Sequence, residues 1–308
     1  MTRLLFFFLT GIALCGSPNL ACAQDARLVT WQDIVRLPAP VAGKRISYGP
    51  DSLQVGELRL PEGTGPFPVV VLLHGGCWLS EYNAAYMSHL SAALTKAGYA
   101  TWNLEFRRVG NAGGGFPGTF QDVAQGTDYV RELAKAYPLL PKKVVVLGHS
   151  AGGHLALWLA ARRNLPRTSP LYSPKPLKLK GVVALAGIPD LAAYSTAPGS
   201  CNKAVAQLLG GQPTETPERY AAGSPSQLLP LRVPVRLVQG AQDPIVPVSQ
   251  AQNFATLAQT KGDDTRVLLL PNTGHFDLVY PASSAWPTIE KAVEDLLGSS
   301  RERQQKRL

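Results

Sequence analysis

Two stretches of the chain, PFPVVVLLHGG (Pro66–Gly76) and KKVVVLGHSAGG (Lys142–Gly153), each run continuous apolar residues into a cluster of glycines. Apolar residues without alternation describe strands buried on both faces. Glycines at the exits describe sharp turns where backbone segments approach closely. Two such strands constrain the fold more than any other feature of the sequence.

The flanking pattern extends the argument. SLQVGELRLP alternates as a half-buried strand does, and YATWNLEF, LKGVVALAG, VPVRLVQG and TRVLLLP read as further strands. Between them lie helical patterns: AAYMSHLSAALTKAG ending at Gly98, FQDVAQGTDYVRELAKAY ending at Pro138, AGGHLALWLAARR, VSQAQNFATLAQTKG and WPTIEKAVEDLLGS. Strands alternating with helices predict an α/β fold with a mostly parallel central sheet and helices on both faces. The rhythm breaks between Pro189 and Pro234, a Pro-, Gly-, Ser- and Ala-rich stretch with one short helix-like piece, CNKAVAQLLGG. An interruption of about 40 residues is long for a connection, and residues 190–232 read as a small cap inserted in a single domain over 24–300.

The ends read differently. MTRLLFFFLTGIALCG carries one arginine and an apolar run, and Ala21–Ala23 form a small-residue cleavage site. Residues 1–23 are therefore expected to be a secretory signal peptide, with the mature chain starting at Gln24 and residing in the periplasm or outside the cell. The run is short of the roughly 20 residues of a membrane span, so no stable membrane anchor is expected after cleavage. A lipoprotein reading at Cys15 or Cys22 meets poor flanking residues, Leu14 in the first case. With 45% hydrophobic and 17% charged residues the composition is globular, and the net charge of +9 is spread along the chain. Only Arg301–Leu308 (RERQQKRL) is densely basic, and it reads as a solvated tail rather than a nucleic-acid partner surface. Cleavage leaves Cys77 and Cys201, which either form a disulfide in an oxidising compartment or stand as two separate buried residues.

GHSAG (Gly148–Gly152) fits G-x-S-x-G, the nucleophile elbow between a strand and a helix. A serine hydroxyl needs a base, and the base an orienting acid, in the chain order Ser, acid, His. Asp243 in VQGAQDPIVP and His275 in LLLPNTGHFD each follow a predicted strand. Ser150 is assigned as nucleophile, His275 as general base and acid, and Asp243 as the orienting carboxylate. Asp190 is the reserve acid, and Asp277 lies too near His275 in sequence to hold its Nδ1. His149 is read as packing in the elbow, His154 as one helical turn past the serine, His89 as helical and His74 as shaping the HGGCW turn (His74–Trp78). Backbone N–H groups of Gly76, Cys77 and Ala151 are expected to form an oxyanion hole, with Gly75 shaping the loop.

These motifs resemble the α/β-hydrolase superfamily from about Val55 to Leu297. HGGCW is similar to the His-Gly-Gly-X-Trp motif of kynurenine formamidases and related esterases, and to the His-Gly-Gly-Gly loop of hormone-sensitive-lipase-like esterases. NLEFRRVGNAGGGFPGTFQDV resembles the matching strand and loop of bacterial esterase/lipase-like members. The resemblance implies hydrolysis of a small-molecule carboxylic ester, with no metal or organic cofactor. Cys77 stands where the lipase-like pattern has a third glycine. With no long apolar lid helix, a short-acyl or aryl ester is the expected substrate, ahead of an N-formyl amide, a prolyl peptide or a catalytically dead binding role. Trp78 is assigned to the substrate pocket. Phe106 and Phe116 are pocket or core, Trp102 is core, and Arg107 and Arg108 are read as structural at a strand end rather than as anion binders.

Overall fold

A computed structural model of the protein describes residues 27–197 and 199–298. The expected signal peptide and basic tail lie outside the described residues. Eight strands form one sheet: β1 (Lys44–Ser47), β2 (Val55–Arg59), β3 (Phe67–Leu73), β4 (Ala100–Leu104), β5 (Leu139–His149), β6 (Gly181–Leu185), β7 (Val235–Gly240) and β8 (Thr265–Leu270). Their spatial order is β1-β2-β4-β3-β5-β6-β7-β8. The β1–β2 and β2–β4 pairs are antiparallel, and the strands from β4 through β8 run parallel.

The hydrophobic pattern explains this order. Val69–Leu73 of β3 and Val144–Leu147 of β5 are fully buried, as continuous branched runs at a sheet centre must be. The edge strand β1 is largely exposed, and β8 is only partly covered. From β3 the chain moves one way to β4; from β5 it moves the other way to β6. Right-handed crossovers then lay helices on both faces. In such sheets ligands bind beyond the carboxyl ends of the strands at a reversal of this kind, here beyond β3 and β5. HGGCW leaves β3 there, and GHSAG leaves β5.

Three details differ from the sequence reading. The helix expected over FQDVAQGTDYVRELAKAY is two, Gly118–Asp128 and Val130–Ala136. At the junction the Glu132 N–H bonds the Tyr129 carbonyl only three residues back, and Asp128 turns its carboxylate to Arg162 and the Leu177 N–H. The stretch 190–232 carries three helices rather than one: Leu191–Thr196, Asn202–Leu209 and Pro217–Gly223. Gly210 is a left-handed C-cap and Pro217 stands in a first turn, so these residues punctuate helices that composition disguised. A short helix, Trp31–Val35, precedes the sheet, with Thr30 and Asp33 forming a reciprocal capping box.

Candidate active site

Ser150 stands between β5 and the helix Ala151–Ala161, with φ 57° and ψ −121°. That conformation is costly for a residue with a Cβ and persists only where its surroundings enforce it. Close packing does so. A Cβ on Gly152 would lie 2.1 Å from the Leu73 carbonyl oxygen, so only glycine lets the helix start press against the end of β3. The Ser150 N–H donates to the Leu185 carbonyl at 2.8 Å, tying the elbow to β6. The N-terminal N–H groups and dipole of the helix point toward the serine.

The loop after β3 lies beside it. A Cβ on Gly75 would fall 2.9 Å from the Ser150 Cβ and 2.6 Å from the His149 carbonyl oxygen. Gly76, Cys77 and Trp78 then take φ values of 94°, 54° and 59°. Among the described residues, the N–H groups of Gly76, Cys77 and Ala151 donate to no protein acceptor. His74 holds the loop root, stacked on Phe106 and contacting the Gly75 carbonyl and Glu105. Cys77 is joined to Cys201 in a disulfide, Cα to Cα 5.1 Å, which fixes the start of helix Asn202–Leu209 against this loop.

Asp243 and His275 follow β7 and β8 at the same end of the sheet. His275 Nδ1 and Asp243 Oδ2 are 2.7 Å apart, and both side chains are buried. The other Asp243 oxygen accepts the Ile245 and Val246 N–H groups at 2.8 and 2.9 Å. Burial pushes the Asp243 carboxyl up, but the hydrogen bond and charge of His275 and these two N–H groups outweigh it and hold it below the usual carboxylate range. The ring of His149, the residue before Ser150, lies 4.4 Å from that of His275, so the elbow and the histidine loop are packed together.

The remaining candidates take other positions. Asp277 accepts the Gly274 and Val29 N–H groups and so braces the histidine loop. Asp190 caps helix Leu191–Thr196 through the Ala193 N–H. Arg107 chelates Asp122, and Arg108 binds Glu105 and the Tyr82 carbonyl, so both arginines are structural. Trp102 and Phe106 are buried core, whereas Phe116 is half-buried beneath Arg219. His89 lies partly exposed on helix Ser88–Lys96.

Trp78 corrects the pocket assignment. It is 1% exposed, and its indole N–H donates to His154 Nδ1 at 3.1 Å. Its left-handed backbone turns the side chain behind the loop and into the core. His154 in turn bonds the Gly223 carbonyl at 2.8 Å, and burial pushes its imidazole down to about 4. The residue that sequence reasoning missed is Tyr86. It sits in a short turn before helix Ser88–Lys96, and its hydroxyl meets both the Gly75 N–H and His149 Nδ1. No local sequence signal marks it, because its partners are remote in the chain. Among the described residues, no group of three or more His, Cys, Asp or Glu side chains is gathered to hold a metal ion.

The chain as a whole is similar to known proteins. The chain is 27% identical over 239 residues to the probable carboxylic ester hydrolase LipM of Mycobacterium tuberculosis, covering 76% of this chain and 54% of that protein. It is 26% identical over 275 residues to esterase LipC of the same organism, covering 83% and 68%. The chain thus spans about half to two-thirds of the length of these relatives. A solved truncated carbohydrate esterase from gut microbiota superposes with a TM-score of 0.73 at 22% identity, covering 85% of this chain and 97% of that one, which establishes the α/β-hydrolase fold. The BD-FAE family model matches residues 57–257, a span that runs from β2 through the elbow and Asp243, and the chain belongs to that family.

Proposed function

We propose that the protein hydrolyses small carboxylic esters, short-acyl or aryl, through an acyl-enzyme on Ser150. The observation that carries the reading is the buried Asp243–His275 hydrogen bond, packed through His149 against a strained elbow serine. Ser150 Oγ attacks the ester carbonyl carbon while His275 Nε2 takes the hydroxyl proton. Asp243 keeps Nδ1 protonated and stabilises the imidazolium. The N–H groups of Gly76, Cys77 and Ala151 receive the oxyanion. Collapse of the tetrahedral intermediate breaks the C–O bond, and His275 returns the proton to the departing alcohol. Water, deprotonated by His275, then attacks the acyl-enzyme; its collapse releases the acid and regenerates the serine hydroxyl.

Residues 190–232 act in this reading as a small cap. The disulfide and the bond from the Phe116 N–H to the Leu208 carbonyl at 2.7 Å support a fixed position beside the oxyanion loop. The disulfide also supports export after cleavage at Ala23 into an oxidising compartment. Among the described residues, no helix is long and apolar enough to cross a membrane.

Ser150→Ala tests the assignment. It is expected to remove nearly all hydrolysis of p-nitrophenyl acetate and to abolish labelling by a fluorophosphonate; full activity in the variant overturns it. N-formylkynurenine, a prolyl dipeptide anilide and a peracetylated monosaccharide, the last prompted by the carbohydrate-esterase likeness, complete the panel. Preference for the formamide or the anilide replaces ester hydrolysis with amide or peptide cleavage on the same serine.

A further inference from the structure

Four groups from three separated segments meet behind the elbow. The Gly75 N–H donates to the Tyr86 hydroxyl. That hydroxyl lies 3.0 Å from His149 Nδ1, and His149 Nε2 lies 3.1 Å from the His275 backbone carbonyl. The partners fix the proton positions. A carbonyl only accepts, so His149 carries its proton on Nε2 and donates it to His275. In the neutral ring Nδ1 is then an acceptor, and the Tyr86 O–H donates to it. Burial, with the neighbouring His275, pushes the His149 imidazole well below its ordinary value and keeps it neutral. Each polar group of the chain is used, in one direction, from the glycine loop to the histidine loop.

Resting on the triad reading above, we propose that Tyr86 and His149 are positioning residues that set the oxyanion loop and the His275 loop at a fixed separation around Ser150. The Tyr86 hydroxyl takes the Gly75 N–H out of the site, which turns the following Gly76 and Cys77 N–H groups toward the oxyanion. His149 holds the backbone of the base whose side chain Asp243 orients. The bridge itself is braced from outside. Trp31 packs edge-on against Tyr86 with ring centroids 5.4 Å apart, and lies 5.7 Å from Phe276, the residue after His275. The Trp31–Val35 helix therefore buttresses the bridge and the histidine loop together.

A bridge of this kind acts on turnover rather than on substrate binding. Tyr86→Phe leaves the ring packing and removes the hydroxyl. It is expected to lower kcat for p-nitrophenyl acetate about tenfold, the effect of one lost hydrogen bond expressed in the transition state, with KM within about twofold. His149→Leu is expected to do the same. His149→Gln, whose amide can still donate toward the His275 carbonyl, is expected to recover part of the loss. Because both residues act through one chain of bonds, the Tyr86→Phe, His149→Leu double variant is expected to be no slower than the slower single variant. Multiplying losses in the double variant, equal rates for the Gln and Leu variants, or near wild-type kcat in Tyr86→Phe overturn the bridge. If His149→Leu does not fold, Tyr86→Phe and His149→Gln carry the comparison. Ser150→Ala, measured in parallel, separates the two ideas. A fully active alanine variant rejects the triad, whereas an inactive one beside an unimpaired Tyr86→Phe rejects only the bridge.

Discussion

His275 Nδ1 reaches Asp243 Oδ2 across 2.7 Å, and that bond joins the loop after β8 to the loop after β7. Asp243 has no freedom to point elsewhere, because two backbone N–H groups grip its other oxygen. Asp243→Asn is expected to cut kcat on the order of 10⁴-fold, since the amide favours the wrong imidazole tautomer. Asp190→Asn is expected to leave turnover nearly unchanged, its carboxylate being occupied with a helix cap. Asp277→Asn is expected to cost far less than Asp243→Asn, acting through the Gly274 backbone. Steady-state kinetics on the three variants decides. A crippled Asp190→Asn enzyme moves the acid to that residue.

Gly75 offers a steric test. An added Cβ would meet the His149 carbonyl oxygen at 2.6 Å and the Ser150 Cβ at 2.9 Å. Neither neighbour can swing away, because one is backbone and the other belongs to the strained elbow. Gly75→Ala is expected to displace the oxyanion loop and reduce kcat on the order of 100-fold or more, the range seen when an oxyanion donor is lost. Gly63→Ala, which meets no atom within 4 Å and carries only local backbone strain at φ 102°, is the control remote from the site and is expected to leave kcat unchanged. Equal rates for both variants would show that the loop tolerates movement.

Much of this site could be read from the chain because its signals are local. An apolar run entering HGG or GHSAG states a buried strand, a tight turn and an exposed backbone within ten residues. The meeting of Asp243 and His275 is legible because each lies in the loop after a strand, at the same end of the sheet. Trp78 is harder to read: its positive φ is not written in residue type when the residue is not glycine, and its indole is buried and bonded to His154. Tyr86 is not legible because its partners, Gly75 and His149, lie 11 and 63 residues away in the chain, beyond any local pattern. The helices of 190–232 were obscured by Pro and Gly that serve as caps rather than breakers.

Acid should destabilise the fold through His154. Its Nδ1 accepts the Trp78 indole N–H, and Nε2 faces the Gly223 carbonyl. A second ring proton would confront the indole N–H, so the folded protein resists protonation, chiefly through burial, with its imidazole down to about 4. The unfolded chain takes up that proton near pH 6.5, so stability is lost as pH falls from about 6.5 toward 4. The shift corresponds to about 3 kcal/mol at the lower end. His149 adds a loss of the same sign. Urea unfolding at pH 7 and pH 5 should show the decline, and His154→Gln should reduce it to the part left by His149. A wild-type curve flat across that interval would contradict a neutral, buried His154.

The disulfide joins stability to turnover. Cys77 and Cys201 are separated by 124 residues, and closing a loop of that length stabilises the fold by about 5 kcal/mol in the chain-entropy model. Cys77 is also non-glycine at φ 54°, followed by Trp78 at φ 59°. Two successive left-handed residues persist only while the surroundings hold them, and the bridge to the helix at Asn202–Leu209 is one of those restraints. Reduction should therefore lower Tm and also lower kcat more than it raises KM, because the proposed Cys77 N–H donor loses its direction. Cys201→Ser should reproduce both effects without a reductant. Thiol titration of the unfolded, unreduced protein should find no free thiol from this pair. Two free thiols would reject the bridge, and an unchanged kcat after verified reduction would show that the loop keeps its shape without it.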